Sequence, residues 1–203
     1  MLRDAIADGT IGTLQAFSIH RQSKGLIREG QATWRNGPGG VCGQAIESLS
    51  HDLDVLRFCA GDVKAVQAYT RATLPFAPRY DNLAVASMEL ACGAVASLHA
   101  DWNAAPAFNL RGATGSRGGI TLSGPGNWEL RELRLRTDSM AYDEIRVIND
   151  TLDATCYARE YGVFLGAIRG ECEAIPSGLD GLRVLEISLA ILRSSESGKA
   201  IYL

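Results

Sequence analysis

Gly39-Gly40-Val41-Cys42-Gly43-Gln44-Ala45-Ile46-Glu47-Ser48-Leu49-Ser50-His51-Asp52-Leu53-Asp54-Val55-Leu56-Arg57-Phe58-Cys59-Ala60-Gly61 carries the clearest pattern in this chain. Ile46, Leu49, Leu53 and Leu56 recur at helical spacing, which predicts a helix over about residues 45–59 with Gly61 as its stop. At roughly 100° per residue those four side chains share one face, and Glu47, His51, Asp54 and Phe58 fall about 150° away. Glu47 and His51 stand four apart, one turn from each other. A carboxylate at that distance favours the charged imidazole and raises its pKa toward acid–base use. From spacing alone, a solvated polar face is the more economical reading of Glu47, His51 and Asp54.

Outward from this helix the pattern is mostly strands. A polar loop over residues 22–43 precedes it, with Trp34-Arg35 and Gly37-Pro38-Gly39-Gly40 within it. Loops of that length are usually functional. Before the loop, residues 11–21 alternate like a strand, and residues 3–8 read as the last turns of a helix closed by Gly9, its first turns missing. After the helix come strand-like blocks at 63–73, 82–91, 94–103, 108–112, 119–122 and 128–135. Helices follow at 156–169 and 180–195, and a short strand at 200–203. Strands in series followed by helices imply an α+β fold with a mostly antiparallel sheet. The last helix bears two apolar stripes, Leu182/Leu185/Leu189/Leu192 and Val184/Ile187/Ile191, so cover is expected on two sides.

Composition narrows the function classes. The chain has 203 residues, 46% hydrophobic and 21% charged, with a net charge of −3, as expected for one globular domain spanning 1–203. That balance argues against a nucleic-acid footprint. No apolar run reaches the ~20 residues of a membrane helix, and Met1-Leu2-Arg3-Asp4 lacks a signal-peptide core, so a cytoplasmic location is expected. Five cysteines without a Cys-x-x-Cys pair are read as buried thiols, and no metal site is expected. His20 and His99 fall in strand patterns; with Asp101 they offer a metal site that no spacing compels.

Taken together, the segments resemble the C-terminal domain of the Gfo/Idh/MocA oxidoreductases, the glucose–fructose oxidoreductase and inositol dehydrogenase family. Gly9-Thr10-Ile11-Gly12 is similar to the family's lead into its first strand. Trp34-Arg35, Gly39-Gly40, Glu47 to Asp54, Leu56 and Gly61 resemble its Gly-Gly-Gly…Asp-x-x-x-His…Asp helix. Asp81-Asn82, Glu89 and Gly93 look like its Asp-Asn hairpin, and Gly112-x-x-Gly115 like a later turn. Gly178 to Leu203, with Ser194-Ser195 and Gly198-Lys199, is similar to its terminal helix and strand. The resemblance covers essentially the whole chain. It implies an open, mainly antiparallel sheet with helices on one face and oligomerisation, as a homodimer or higher oligomer, through the other. It also implies that His51 handles the substrate's hydroxyl proton during hydride transfer to NAD or NADP, assisted by Glu47. That carboxylate is one methylene longer than the commoner Asp. Trp34, Arg35 and Asp54 are the candidate contacts to a sugar or cyclitol, and Gly39 and Gly40 the candidate neighbours of the cofactor.

The comparison also exposes a gap. The family's nucleotide-binding half supplies a Gly-x-Gly-x-x-Gly turn and a Glu-Lys-Pro motif, and neither occurs in this sequence. Gly112, Gly115 and Gly118 fall between strand-like blocks, where no helix N-terminus receives a pyrophosphate. None of the three lysines, Lys24, Lys64 and Lys199, lies between Glu and Pro. The expectation is therefore a truncated dehydrogenase that binds no cofactor tightly by itself and is inactive alone. The alternative is a non-catalytic dimerisation module that associates with a partner. A hydrolase or metalloenzyme built on Glu47, His51 and Asp54 is a more remote third reading.

Overall fold

The computed structural model describes residues 1–24, 43–76, 81–126, 129–150 and 154–203. Helix α1 (Leu2–Ala7) leads into β1 (Leu14–Lys24). After the crossover come α2 (Gln44–Glu47) and α3 (Leu49–Ala60), then β2 (Val63–Arg71), β3 (Leu83–Leu90) and β4 (Val95–Asp101). The chain continues through β5 (Asn103–Gly115), β6 (Gly118–Gly124), β7 (Leu130–Thr137) and β8 (Glu144–Asp150). It closes with α4 (Ala154–Ile168), α5 (Gly178–Ser197) and β9 (Ile201–Tyr202).

The nine strands form one open sheet in the order β8-β7-β6-β5-β1-β4-β3-β2-β9. Among the described residues only β1 and β4 pair in parallel, with His20 opposite His99; every other neighbour is antiparallel. Parallel neighbours need a crossover rather than a hairpin. Here the crossover carries α2 and α3 across the sheet before β2 and β3 bring the chain back to β4. This is the mainly antiparallel α+β sheet expected from the sequence.

Period-two burial shows which face is covered. Phe17 and Ile19 of β1, Ala96, Leu98 and Ala100 of β4, and Ala84, Ala86 and Met88 of β3 point into one core with Leu49, Leu53 and Leu56 of α3. Small alanines on the central strands let the helices approach closely. From α5, the Val184/Ile187/Ile191 stripe enters this core, whereas Leu182 and Leu185 of the other stripe are exposed. Ser194 ties α5 to the sheet: its hydroxyl accepts from the Ala68 N–H at 2.9 Å and donates to the Lys199 carbonyl at 2.7 Å. Gly198, at φ 69°, closes the helix in a left-handed cap. The opposite sheet face carries Ser18, His20, Gln22, Val85, Ser87, Val95, Ser97 and His99 and bears none of this core.

Three local expectations change. The helix over 45–59 is two helices, interrupted at Ser48. The strands around residue 110 join into the 13-residue β5. The edge strand β8 is not anticipated by the sequence pattern. Its Glu144 and Arg146 alternate with exposed Ile145 and Val147, so no buried face marks it.

Candidate functional site

The α2–α3 crossover is pinned at its first turn. Gly43 precedes α2 where a Cβ would come within 2.9 Å of the Asp81 backbone nitrogen, so only glycine fits. Asp81 then caps the helix: its carbonyl accepts from the Gln44 N–H, and its Oδ2 accepts from the Ala45 N–H, both at 2.8 Å. Burial raises the Asp81 pKa, and the Ala45 hydrogen bond opposes that shift. Asn82 beside it is buried and exchanges two hydrogen bonds with Thr73. The Asp-Asn pair thus fastens the start of the crossover to the strand β3.

Beneath α3 lies a buried charge cluster that the sequence reading did not single out. Asp52, 0% exposed, accepts from Arg21 Nη1 on Oδ2 at 2.8 Å and from Arg111 Nη2 on Oδ1 at 2.5 Å. Arg21 Nη1 also donates to the Ser48 carbonyl at 2.7 Å, at the break between α2 and α3. Arg111 Nη1 donates to Asn109 Oδ1 at 2.6 Å. The signals were present in the sequence. Arg21 has the inward parity of Phe17 and Ile19, and Asp52 falls on the flank of the leucine face. A buried carboxylate gripped by two guanidiniums fixes the rotation of α3 about its axis.

That rotation places His51 outward. His51 and Phe58 are exposed, with Glu47 and Asp54 half-buried, so the polar face expected from the sequence faces away from the core. The electrostatics differ from expectation. The His51 pKa lies below its ordinary value, first because burial penalises the imidazolium and next because the Arg21 charge repels it. Asp52, Asp54 and, last, Glu47 pull the other way and lose. The expected elevation by Glu47 is therefore corrected: Glu47 closes α2 on the far side of the Ser48 break and is the weakest of the three acidic influences. A neutral imidazole on the surface near pH 7 is a proton acceptor in its ready form.

Asp54, three residues on, lines a groove of about 310 Å³ with Arg57, Phe58, Ile175, Pro176 and Asp180. Arg57 bridges Asp62 at 2.8 Å and Asp180 at 3.2 Å, joining α3 to the start of α5. His51 and Asp54 are thus brought onto one face of α3. Trp34, Arg35, Gly39 and Gly40 lie outside the described residues. Gly112, Gly115 and Gly118 fall in the β5–β6 hairpin, not at a helix N-terminus, so they form no dinucleotide cradle.

His20 and His99 face each other edge-on across β1 and β4, ring centres 6.0 Å apart, and Phe108 stands beside His20. Burial first, then the neighbouring His99, lowers the His20 pKa. Among the described residues no group of three histidine, cysteine or acidic side chains is placed to hold a metal ion. The free thiols Cys59 and Cys156 are half-buried and Cys92 and Cys172 are exposed, which corrects the expectation of buried cysteines, and no described helix is long and apolar enough to cross a membrane.

Comparison with known proteins agrees with this architecture. The WlbA dehydrogenase of Bordetella pertussis, solved with NADH and UDP-GlcNAcA, superposes with a TM-score of 0.77 at 24% identity. The match covers 100% of this chain and 58% of that one. A levoglucosan dehydrogenase bound to NADH and levoglucosan gives 0.86 at 20% identity, over 100% of this chain and 62% of the other. A putative myo-inositol dehydrogenase from Sinorhizobium meliloti gives 0.73 at 22% identity, over 99% and 60%. The chain thus spans about three-fifths of the length of these structures, whose likeness is one of fold. No curated protein sequence matches it. The profile of the GFO/IDH/MocA C-terminal domain matches residues 1–121, more than half of the sequence, and the chain belongs to that family.

Proposed function

We propose that this chain is the substrate-binding half of an NAD(P)-dependent oxidoreductase acting on a sugar or cyclitol hydroxyl. The observation that carries this reading is His51. It is exposed, its pKa is lowered, and it sits on a helix whose orientation is set by the Arg21–Asp52–Arg111 cluster. In this reading His51 accepts the hydroxyl proton as the carbon beneath it gives up a hydride. The nicotinamide, supplied by a domain outside the matched region, is the hydride acceptor. Asp54 hydrogen-bonds a second substrate hydroxyl, Trp34 and Arg35 complete the polyol contacts, and Glu47 has at most an orienting role.

The sheet face opposite the helices serves oligomerisation. It combines exposed Tyr69, Val85, Val95 and Phe108 with small Ser18, Ser87 and Ser97, a mixed surface broad enough for a second sheet. Light scattering of the purified chain should give a dimer or larger species; a monomer at micromolar concentration removes this part of the reading.

The catalytic role is tested by joining the chain to a nucleotide-binding domain and replacing His51 by Asn. The expected loss in kcat is about 10²–10⁴-fold, the usual contribution of a general acid–base, with little change in KM. Retention of kcat within about threefold would show that His51 carries no proton. The 203-residue chain alone should bind neither NADH nor NADPH in calorimetry. Micromolar, stoichiometric binding would refute the division of labour.

A further inference from the structure

His20 and His99 are the only histidines of this chain besides His51, and the parallel pairing of β1 with β4 sets them side by side. The two strands run in register from Ala16 opposite Val95 to Gln22 opposite Asp101, with His20 opposite His99. Both rings stand half-exposed on the sheet face away from the helices. β1 is the fifth of nine strands, so the pair lies at the middle of that face. Leu110 of β5 and Val85 of β3 are the register neighbours on either side, and Phe108 stands beside His20. One step along the strands, the Gln22 amide comes within 3.5 Å of His99 Nε2.

We propose that His20 and His99 form a binding site for a divalent transition-metal ion of the nickel, copper and zinc class. The ring centres are 6.0 Å apart, with 64° between the ring planes. Imidazole nitrogen binds such ions at about 2.0–2.1 Å, which puts each ring centre about 3.2 Å from the metal. Two rings on one ion then have their centres about 5.2 Å apart at the tetrahedral angle and about 6.4 Å apart when opposite each other. The observed separation falls between these limits. Rotation about the Cβ–Cγ bond, a torsion with broad minima, turns each ring nearly about its own centre. Two nitrogens therefore reach one ion without moving the strands. Gln22 offers an amide oxygen as a third ligand, and water fills the remaining positions on the open side of the sheet. The Asp101 carboxylate, one register step away, adds negative charge that favours a cation. Imidazole donors select nickel, copper, zinc and cobalt over magnesium and calcium, which take oxygen ligands. The pair lies across the sheet from α3, so this site goes beyond the dehydrogenase reading and does not depend on it.

The test titrates NiCl2 into the 203-residue chain by calorimetry, at about pH 7.5, above the ordinary histidine pKa. Micromolar binding is expected, tighter for copper and weaker for cobalt, with none for magnesium. His20→Gln and His99→Gln should each weaken nickel binding by at least about tenfold, and His51→Asn should leave it unchanged. Both replaced rings are half-exposed, so the circular dichroism of each variant should match that of the parent. The parent chain gives a second reading that needs no variant. Paramagnetic nickel should broaden the ring protons of His20 and His99 in NMR well before those of His51. Equal broadening of all three histidines would overturn the proposal. So would nickel binding that survives in both glutamine variants, which would give the ion to thiols or the terminal amine. The site and the oligomerisation reading fail separately: a monomer that binds nickel keeps the site, and a dimer that binds none removes it.

Discussion

Replacing Asp52 by Asn tests the claim that one buried carboxylate orients the candidate site. Asp52 is fully buried, and its two oxygens are divided between Arg21 at 2.8 Å and Arg111 at 2.5 Å, both nearly buried themselves. Asparagine keeps the shape and one acceptor, but it removes the charge and turns an amide N–H toward a guanidinium. The two buried cations then lose the carboxylate they share. Breaking a buried pair from one side costs about 3–5 kcal/mol. For a chain of this length each kcal/mol shifts Tm by about 2–4 °C, so the expected fall is about 6–20 °C. The assay is equilibrium urea unfolding followed by far-UV circular dichroism, with an unchanged m-value showing that the same surface unfolds. Losing Asp52 also removes a charge that raises the His51 pKa, so the His51 titration should move further down. The triple variant Arg21→Met, Asp52→Leu, Arg111→Met removes the charges together and should be more stable than the single variant. A destabilisation below about 1 kcal/mol in Asp52→Asn would refute the reasoning, since a buried pair cannot be broken so cheaply.

Other outcomes follow from single contacts. The His51 ring proton in NMR should titrate with a midpoint below about 6.5, and Arg21→Met should raise it; a midpoint above 6.5 would contradict the balance described here. The folded-state pKa values of His51 and His20 are depressed, so the unfolded chain takes up protons first as pH falls. Their contribution to stability is complete above about pH 6.5 and is lost below it, measurable as a falling urea midpoint toward pH 5. Asp81→Ala removes the cap on α2 and should cost about 0.5–2 kcal/mol by the same assay. Gly43→Ala should cost more, because the new methyl meets backbone. Ser194→Ala leaves the buried Ala68 N–H without its acceptor, a loss of about 1–3 kcal/mol; an unchanged midpoint would show that water replaces the hydroxyl.

Most of the sheet was legible because burial alternates with period two along β3 and β4 and, beyond the irregularity at Ala65–Val66, along β2. The leucines of α3 and the inward stripe of α5 were legible for the matching reason at helical period. The edge strand β8 was not, since a strand with no buried side has no alternation to display. The break at Ser48 was also hidden, because Glu47 and His51 keep helical spacing across it. Of the candidate site, the polar face of α3 could be drawn from a wheel, but the sign of the His51 shift could not.

By itself the sequence determined the α+β class, the core-facing side of β3, β4 and α3, the outward position of Glu47, His51 and Asp54, and the lack of a phosphate-cradling glycine turn. These follow from local periodicity and from residue types, which act over a few positions. The tertiary structure decided what depends on residues far apart. It joined Arg21 and Arg111 to Asp52 over separations of 31 and 59 residues, and so set both the rotation of α3 and the direction of the imidazole's pKa. It also put the aromatic side of α4 outward. An amphipathic helix declares in its sequence that one face needs cover, but only the packed fold shows where that cover lies, and among the described residues none covers the aromatic side of α4.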